Sequence, residues 1–179
     1  MLDRFPDRTP ADRIPFVLQL VGYKNSGKTT LTAKLVARLK HAGYRVGTVK
    51  HDAHDFDMDR PGTDTWEHQA AGADMTAISS SSGSAILSKG PEPLSVLLAH
   101  MRHLDVVLVE GFKQAEHPKL ILLRSPEDRE LLRLANSLLA VVWPEAAALK
   151  PAIAVPVYDL AEDDAIAQAV FARIPARER

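Results

Sequence analysis

Short runs rich in apolar residues alternate along the chain with segments whose apolar residues are spaced three or four positions apart. Runs of about six residues are typical of strands buried on both faces, and the wider spacing is typical of amphipathic helices. The predicted strands are Phe16–Val21, Tyr44–Val49, Met75–Ile78, Ala85–Leu87, Asp105–Glu110, Lys119–Leu123, Leu138–Val142 and Val157–Tyr158. Because strand, helix and strand follow one another closely, we expect parallel pairing through right-handed crossovers.

The helical segments lie between these strands. They are predicted at Thr30–Ala42, which stops at Gly43; at Thr65–Ala71, capped by Asp64; near Pro93, with Leu94, Leu97, Leu98 and Met101 on one face; at Glu127–Leu134; and at Asp164–Arg173, which buries Ile166, Val170 and Phe171. The run Ser79–Ser84 is interpreted as a turn and Pro151–Pro156 as a linker. The pattern predicts an α/β fold, with helices on both faces of a mostly parallel, twisted sheet.

Composition narrows the class of protein further. The 179 residues carry a formal net charge of −1, with acidic and basic residues interspersed, so neither a nucleic-acid nor a membrane surface is indicated. The absence of cysteine excludes disulfides, thiolate nucleophiles and Cys-ligated zinc, and it fits a cytoplasmic setting. The charged start does not fit a signal peptide, and no apolar run reaches the length of a membrane span. Residues 1–15 are expected to be a flexible lead-in and 175–179 a tail.

One glycine-rich stretch carries the clearest chemistry. Gly22–Thr29 matches G-x-x-x-x-G-K-[ST], the phosphate-binding P-loop, and it lies between a predicted buried strand and a predicted helix. Gly22 and Gly27 let backbone amides approach phosphates, and the helix N-terminus attracts the same anion. Lys28 should reach the β- and γ-phosphates, and Thr29 should place its hydroxyl on Mg²⁺. The motif predicts a three-layer P-loop NTPase fold with one nucleotide-binding domain at 16–174; the alternative is a glycine-containing turn in an unrelated α/β protein.

The strand Asp105–Glu110 ends in an acidic residue and carries a second motif. An apolar run that closes on a carboxylate is the Walker B pattern, which places that carboxylate beside Mg²⁺ or the attacking water. Glu110 holds this position and Gly111 follows it, whereas Asp105 opens the strand at the wrong end. The alternative is that Glu110 only caps the next turn.

The loop from His51 to Asp59 contains two histidines and four aspartates. Loops at the carboxyl ends of parallel strands line the ligand crevice, so this loop should face the P-loop. Three interpretations are open: a Mg²⁺-facing segment, a transition-metal site built from His51, His54 and nearby aspartates, or a solvated acidic loop. Lys50, just before it, is either a phosphate contact or a surface lysine.

Base recognition is not specified by any motif. Ras-type GTPases read guanine with an Asn-Lys-x-Asp stretch, but Trp143-Pro144-Glu145 follows the strand Leu138–Val142 in this chain. The P-loop pattern therefore does not choose between GTP and ATP.

Two longer segments carry a family resemblance. One runs from Lys50 through His51, His54, Asp55, Asp57, Asp59, Pro61, Gly62 and Asp64 to Ala71-Gly72-Ala73. The other is Asp105–Lys113, followed by Pro118-Lys119. With the P-loop, these segments resemble the molybdopterin-guanine dinucleotide biosynthesis adaptor family, MobB, over residues of about 16–125.

The resemblance implies a GTP-binding, commonly homodimeric protein with weak GTPase activity. Such a protein assists the guanylyltransferase that attaches GMP to molybdopterin during molybdenum cofactor biosynthesis. The nucleotide loop would be Gly22, Lys24, Asn25, Ser26, Gly27, Lys28, Thr29 and Thr30. Lys28 and Glu110 would be the catalytic pair, and Thr29, Asp59 and Glu110 the Mg²⁺ side. Thr63 stands where relatives are expected to carry a basic residue.

Two other functions remain open from the residues alone. A small-molecule kinase would use the same P-loop with a substrate hydroxyl in place of water. Its arginine-rich lid is only partly represented, by Arg124, Arg129 and Arg133. A non-hydrolysing module that binds or delivers GTP would need the P-loop but not the catalytic role of Glu110.

Overall fold

A computed structural model describes residues 14–51 and 59–175. The described residues form two compact units, one made of residues 14–51 and 98–175 and the other of residues 59–97. Residues 1–13 of the predicted lead-in, 176–179 of the predicted tail and 52–58 of the His-Asp loop, including His54, Asp55 and Asp57, lie outside the described residues. The single domain at 16–174 stays a prediction.

The first unit contains a six-stranded parallel sheet in the order β2-β5-β1-β6-β7-β8. Its strands are β1 (Phe16–Val21), β2 (Val46–Lys50), β5 (Val106–Glu110), β6 (Lys119–Leu123), β7 (Ser137–Val142) and β8 (Val157–Asp159). Strands β5 and β6, each paired on both sides, are buried at every position, as the apolar runs Val106–Val109 and Leu120–Leu123 predict. Parallel pairing brings all the carboxyl ends to one edge of the sheet.

The helices α1 (Lys28–His41) and α4 (Asp163–Phe171) cover one face of the sheet. Leu31, Leu35 and Leu39 of α1 are buried in this core, as the helical spacing predicts. Phe171 is partly buried there, and its ring lies 6.2 Å from that of Tyr44. Ion pairs Lys34–Asp163 at 2.7 Å and Arg38–Asp164 at 2.6 Å also join the two helices.

Two 3₁₀ helices, Pro126–Arg133 and Pro144–Ala152, cover the opposite face. Leu131, Ala146 and Leu149 pack there against Val21 and other residues of the sheet. The three-layer α/β fold is therefore confirmed. The segment Pro144–Ala152 had no predicted helix, and the predicted linker begins inside it, because short 3₁₀ turns lack the long apolar periodicity of an α-helix.

The second unit contains α2 (Asp64–Ala70) and an antiparallel hairpin of β3 (Met75–Ser79) and β4 (Ser84–Ser88). A further helix, α3 (Leu94–Ala99), spans the boundary between the units. The predicted Asp64 cap is wrong, because the Thr63 hydroxyl accepts the hydrogen bond from the Trp66 amide and caps α2. Asp64 instead opens the helix, where its charge favours the N-terminal dipole.

No helix in residues 14–51 or 59–175 has the length and apolar content needed to cross a membrane.

Candidate functional site

The loop between β1 and α1 adopts the turn that the glycine-rich motif predicts. Asn25 and Gly27 have positive φ angles of 62° and 90°, and Gly27 is the N-cap of α1. The Gly27 carbonyl accepts the hydrogen bond from the Leu31 amide at 2.9 Å. The first amides of α1 have no intrahelical partner, so they face the loop as donors for an anion.

Gly22 is required for space rather than for its backbone angle. A Cβ on Gly22 would collide with the Ser26 side chain and lie 3.0 Å from the Leu122 carbonyl oxygen. The Ser26 hydroxyl is buried and has no hydrogen-bond partner among the residues that the structure describes. The loop is thus closely packed against the end of β6.

Lys28 folds back over this loop. Its ammonium donates to the carbonyl oxygens of Gly22, at 3.0 Å, and Tyr23, at 2.7 Å. Burial lowers the pKa of Lys28, and the positive charges of Lys113 and Lys50 lower it further, against an opposing effect of Glu110. The site therefore carries an excess of positive charge that a polyanion would neutralise.

Glu110 ends β5 beside the P-loop. It is 6% exposed, and its Oε2 accepts a hydrogen bond from the Thr29 hydroxyl at 3.0 Å. In the sheet register Glu110 lies opposite Leu20 of β1 and Lys50 of β2. The structure therefore brings together two residues that the sequence assigns to the metal side.

Two buried polar residues, Gln19 and Lys119, hold the loop that follows Glu110. The Gln19 side-chain amide donates to the carbonyl oxygens of Gly111, at 3.1 Å, and Phe112, at 2.6 Å. The Lys119 ammonium donates to Ala115 and His117 carbonyl oxygens at 2.6 and 3.2 Å, and burial lowers its pKa. Gln19 lies within the apolar strand β1 and Lys119 opens the apolar strand β6, and that isolated polarity is the sequence signal that could have identified them.

Lys113, in the same loop, lies against the P-loop. Its ammonium is 4.0 Å from the centre of the Tyr23 ring, a cation–π contact. Lys113 was part of the family resemblance but had no predicted role. Together with Lys28 and Lys50 it forms the basic side of the site.

The start of the His-Asp loop is also at this edge. The His51 amide donates to the Glu110 carbonyl oxygen at 2.9 Å, and the His51 ring lies 4.7 Å from that of Phe112. Across the described residues, no group of three or more His, Cys, Asp or Glu side chains could hold a metal ion.

Asp59 belongs to the second unit, where it stabilises the entry to α2. Its Oδ1 accepts from the Thr63 hydroxyl at 2.8 Å, and its Oδ2 accepts from Gln69 Nε2 at 3.0 Å. Hydrogen bonds from Thr65 and Thr63 hold the pKa of Asp59 below its ordinary value. Its predicted role as a metal ligand stays a prediction.

The Thr29 hydroxyl and the Glu110 carboxylate are oxygen ligands of the kind that suits Mg²⁺. Mg²⁺ prefers oxygen ligands, usually one or two carboxylates together with waters and substrate phosphates, rather than a complete protein cage. A hydroxyl and a carboxylate that already share a hydrogen bond beside a phosphate loop supply such a partial set.

A cavity of about 480 Å³ adjoins the loop and the start of α1. Its lining residues are Asn25, Ser26, Gly27, Lys28, Thr29, Thr30, Leu31, Lys34, Trp143, Leu160 and Asp163. Trp143 Nε1 donates a hydrogen bond to the Ser26 carbonyl oxygen at 3.1 Å, which attaches the Trp143 side of the cavity to the P-loop. Six of the predicted nucleotide-loop residues, from Asn25 to Thr30, thus line one cavity.

Comparison with known proteins points to one family. The family model for molybdopterin guanine dinucleotide synthesis protein B, MobB, matches residues 17–144. The chain is 38% identical over 134 residues to a molybdopterin-guanine dinucleotide biosynthesis adapter protein of Haemophilus influenzae, covering 73% of this chain and 75% of the relative. The Escherichia coli protein of that name is 36% identical over 135 residues, 67% of this chain and 77% of the relative.

A solved structure shares the fold. The crystal structure of a MobB homologue from Bacillus stearothermophilus superposes with a TM-score of 0.70 at 36% identity. The match covers 90% of this chain and 99% of the homologue. The chain therefore belongs to the MobB family of molybdopterin-guanine dinucleotide biosynthesis adapter proteins.

Proposed function

We propose that this protein is a GTP-binding adaptor with weak, Mg²⁺-dependent GTPase activity that assists guanylyl transfer to molybdopterin. The observation that carries the proposal is the 3.0 Å hydrogen bond between the Thr29 hydroxyl and Glu110, beside the ammonium of Lys28. Family membership supports the pathway, and the site chemistry supports a bound nucleoside triphosphate.

The proposed reaction is in-line attack of water on the γ-phosphate. Lys28 would leave the carbonyl oxygens of Gly22 and Tyr23 and bind the β- and γ-phosphate oxygens. The amides at the start of α1 would stabilise the charge that spreads over those oxygens. Glu110 would orient the attacking water.

Mg²⁺, when bound, would neutralise charge on the phosphates. Thr29 and Glu110 would hold it. Lys50 and Lys113 add positive charge near Lys28. Slow turnover in the absence of a partner is part of the proposal.

The proposed partners are a second copy of this chain and the molybdenum cofactor guanylyltransferase. Met75 and Ile86 support self-association, because they are 57% and 58% exposed on one face of the β3–β4 hairpin. Apolar side chains exposed together commonly mark an interaction surface. A cytoplasmic location is part of the same proposal.

Measurement of GTP hydrolysis by the Glu110→Gln variant tests the proposed catalytic role of Glu110. The variant should still bind GTP, more weakly with Mg²⁺ because Glu110 is also a proposed ligand, and should lose at least about tenfold in turnover, because an amide orients water less well than a carboxylate. Asp105→Asn, at the opposite end of β5, is the matched control and should retain turnover.

Three results would count against the proposal. Turnover of tens per second without a partner would contradict a weak GTPase. Full support of guanylyl transfer by Glu110→Gln, without hydrolysis, would favour a non-hydrolysing GTP-binding module. Phosphate transfer from GTP to an added metabolite would favour the small-molecule kinase.

A further inference from the structure

The cavity beside the P-loop lies on one side of β1, and Glu110 lies on the other. In the sheet order, β5 with Glu110 flanks β1 on one side, and β6, β7 and β8 follow on the opposite side. Trp143 and Leu160 follow β7 and β8 directly, and both line the cavity. A triphosphate whose γ-end meets Lys28, Thr29 and Glu110 would therefore direct its nucleoside toward the cavity.

We propose that this cavity is the nucleoside subsite, and that Asp163 and Lys34 read the hydrogen-bonding edge of guanine. The inference rests on the proposed function, since it requires a nucleoside triphosphate on the P-loop. The cavity volume of about 480 Å³ is in the ordinary range for a small-molecule site.

The Asp163–Lys34 pair presents an acceptor beside a donor. Asp163 Oδ2 accepts from Lys34 Nζ at 2.7 Å, and both residues line the cavity. Guanine carries two adjacent donors, N1–H and the 2-amino group, next to the O6 acceptor. A carboxylate can accept both donors, and an ammonium can donate to O6. Adenine lacks the 2-amino group and the O6 acceptor, so it loses part of this pairing.

Contacts between α1 and α4 other than the Asp163–Lys34 ion pair hold these two residues in position. The helices α1 and α4 also meet through Arg38 and Asp164 at 2.6 Å. Ile166, Ala167 and Val170 of α4 are buried in the core shared with α1. Substitution of Asp163 should therefore leave α4 packed, while it changes the chemistry of the cavity.

Trp143 gives the cavity an apolar wall and a spectroscopic reporter. Its ring carbon Cζ2 lies 3.7 Å from the position of a Cβ built on Gly27, and Leu160 lies 3.9 Å from the same point. The chain has two tryptophans, and the other, Trp66, is in the second unit. In a Trp66→Phe background, Trp143 fluorescence should change when a nucleoside enters the cavity.

The decisive experiment compares Asp163→Asn with Asp164→Asn in that background. GTP, XTP and ATP are titrated with Mg²⁺, and Trp143 fluorescence is followed. An amide replaces an acceptor with a donor at one position, so Asp163→Asn should weaken GTP binding by roughly ten- to a hundredfold. It should also gain affinity for XTP, because xanthine has a carbonyl oxygen in place of the 2-amino group. Asp164→Asn, which removes the neighbouring charge, should keep the native preference.

Lys34→Gln gives an independent test of the same subsite. The substitution should weaken binding of GTP more than binding of inorganic tripolyphosphate, because only the nucleotide uses the base contact. If Asp163→Asn and Asp164→Asn showed the same GTP-to-XTP preference, or Lys34→Gln weakened both probes equally, the assignment would be overturned. Inorganic tripolyphosphate distinguishes failure of the subsite from failure of the proposed function. If the native protein bound neither tripolyphosphate nor GTP, both the subsite and the proposed function would be overturned.

Discussion

Thr29 and Glu110 are 81 positions apart in the chain, and a 3.0 Å hydrogen bond joins their side chains. Thr29 is in the first turn of α1, and Glu110 is the last residue of β5. Because β5 pairs with β1, which leads into the P-loop, the sheet register fixes this meeting. The pair gives the phosphate loop an acidic, oxygen-rich side.

Thr29→Ala should weaken nucleotide binding in the presence of Mg²⁺ far more than in EDTA. The hydroxyl is the proposed metal ligand, whereas the loop amides that hold phosphates are unchanged. Isothermal titration with GTP under both conditions measures the difference. Thr29→Ser keeps the hydroxyl and should behave like the native protein, and equal losses in Mg²⁺ and EDTA would contradict the assigned role.

Gly22→Ala should damage the P-loop. The added methyl group would meet the Ser26 side chain and approach the Leu122 carbonyl oxygen, so the loop must shift. We expect a loss of about 1–3 kcal/mol in the free energy of unfolding, together with weaker GTP binding. Gly83→Ala is the control, because a Cβ there would meet nothing within 4 Å. Denaturant unfolding of both variants tests this, and an unchanged midpoint for Gly22→Ala would disprove the packing argument.

Binding of a triphosphate should weaken as the pH rises through the lowered pKa of Lys28. Burial disfavours the charged ammonium in the free protein, and a bound polyanion favours it again, so the bound form has the higher pKa. Between the two pKa values the complex holds more protons, and affinity should fall by up to about tenfold per pH unit. Below this window Lys28 is protonated in both the free and the bound protein, so it no longer makes the affinity depend on pH.

Inorganic tripolyphosphate is the probe for this dependence, since it has no ionisable base. Lys28→Arg is the control, because arginine stays protonated across the range. The same decline in Lys28→Arg and native protein would show that another group is responsible.

The exposed hairpin should support self-association. Introducing charge with Met75→Lys and Ile86→Lys together should lower the mass measured by analytical ultracentrifugation, because charged residues are depleted at the core of an interface. Ser82→Lys, in the turn of the same hairpin, adds charge away from that face and should leave the mass unchanged. A native protein that sediments as a monomer at every concentration would contradict the proposed dimer.

The sequence by itself determined the strands, the main helices and the P-loop. These depend on local properties: apolar runs specify buried strands, and glycine spacing specifies a turn that admits phosphate. The run Lys119–Leu123 coincides with β6, and Phe16–Val21 with β1. The cap of α2 was placed one residue late, because Thr63 and Asp64 both have capping side chains and only the backbone selects between them.

Only the tertiary structure decided which distant side chains share the site. Trp143, Leu160 and Asp163 carry no motif, yet the ends of β7 and β8 and the start of α4 bring them beside the P-loop. Gln19 and Lys119 likewise acquire their partners from the loop after β5. Such contacts depend on strand order, and strand order arises from the packing of the whole sheet rather than from any local stretch of sequence.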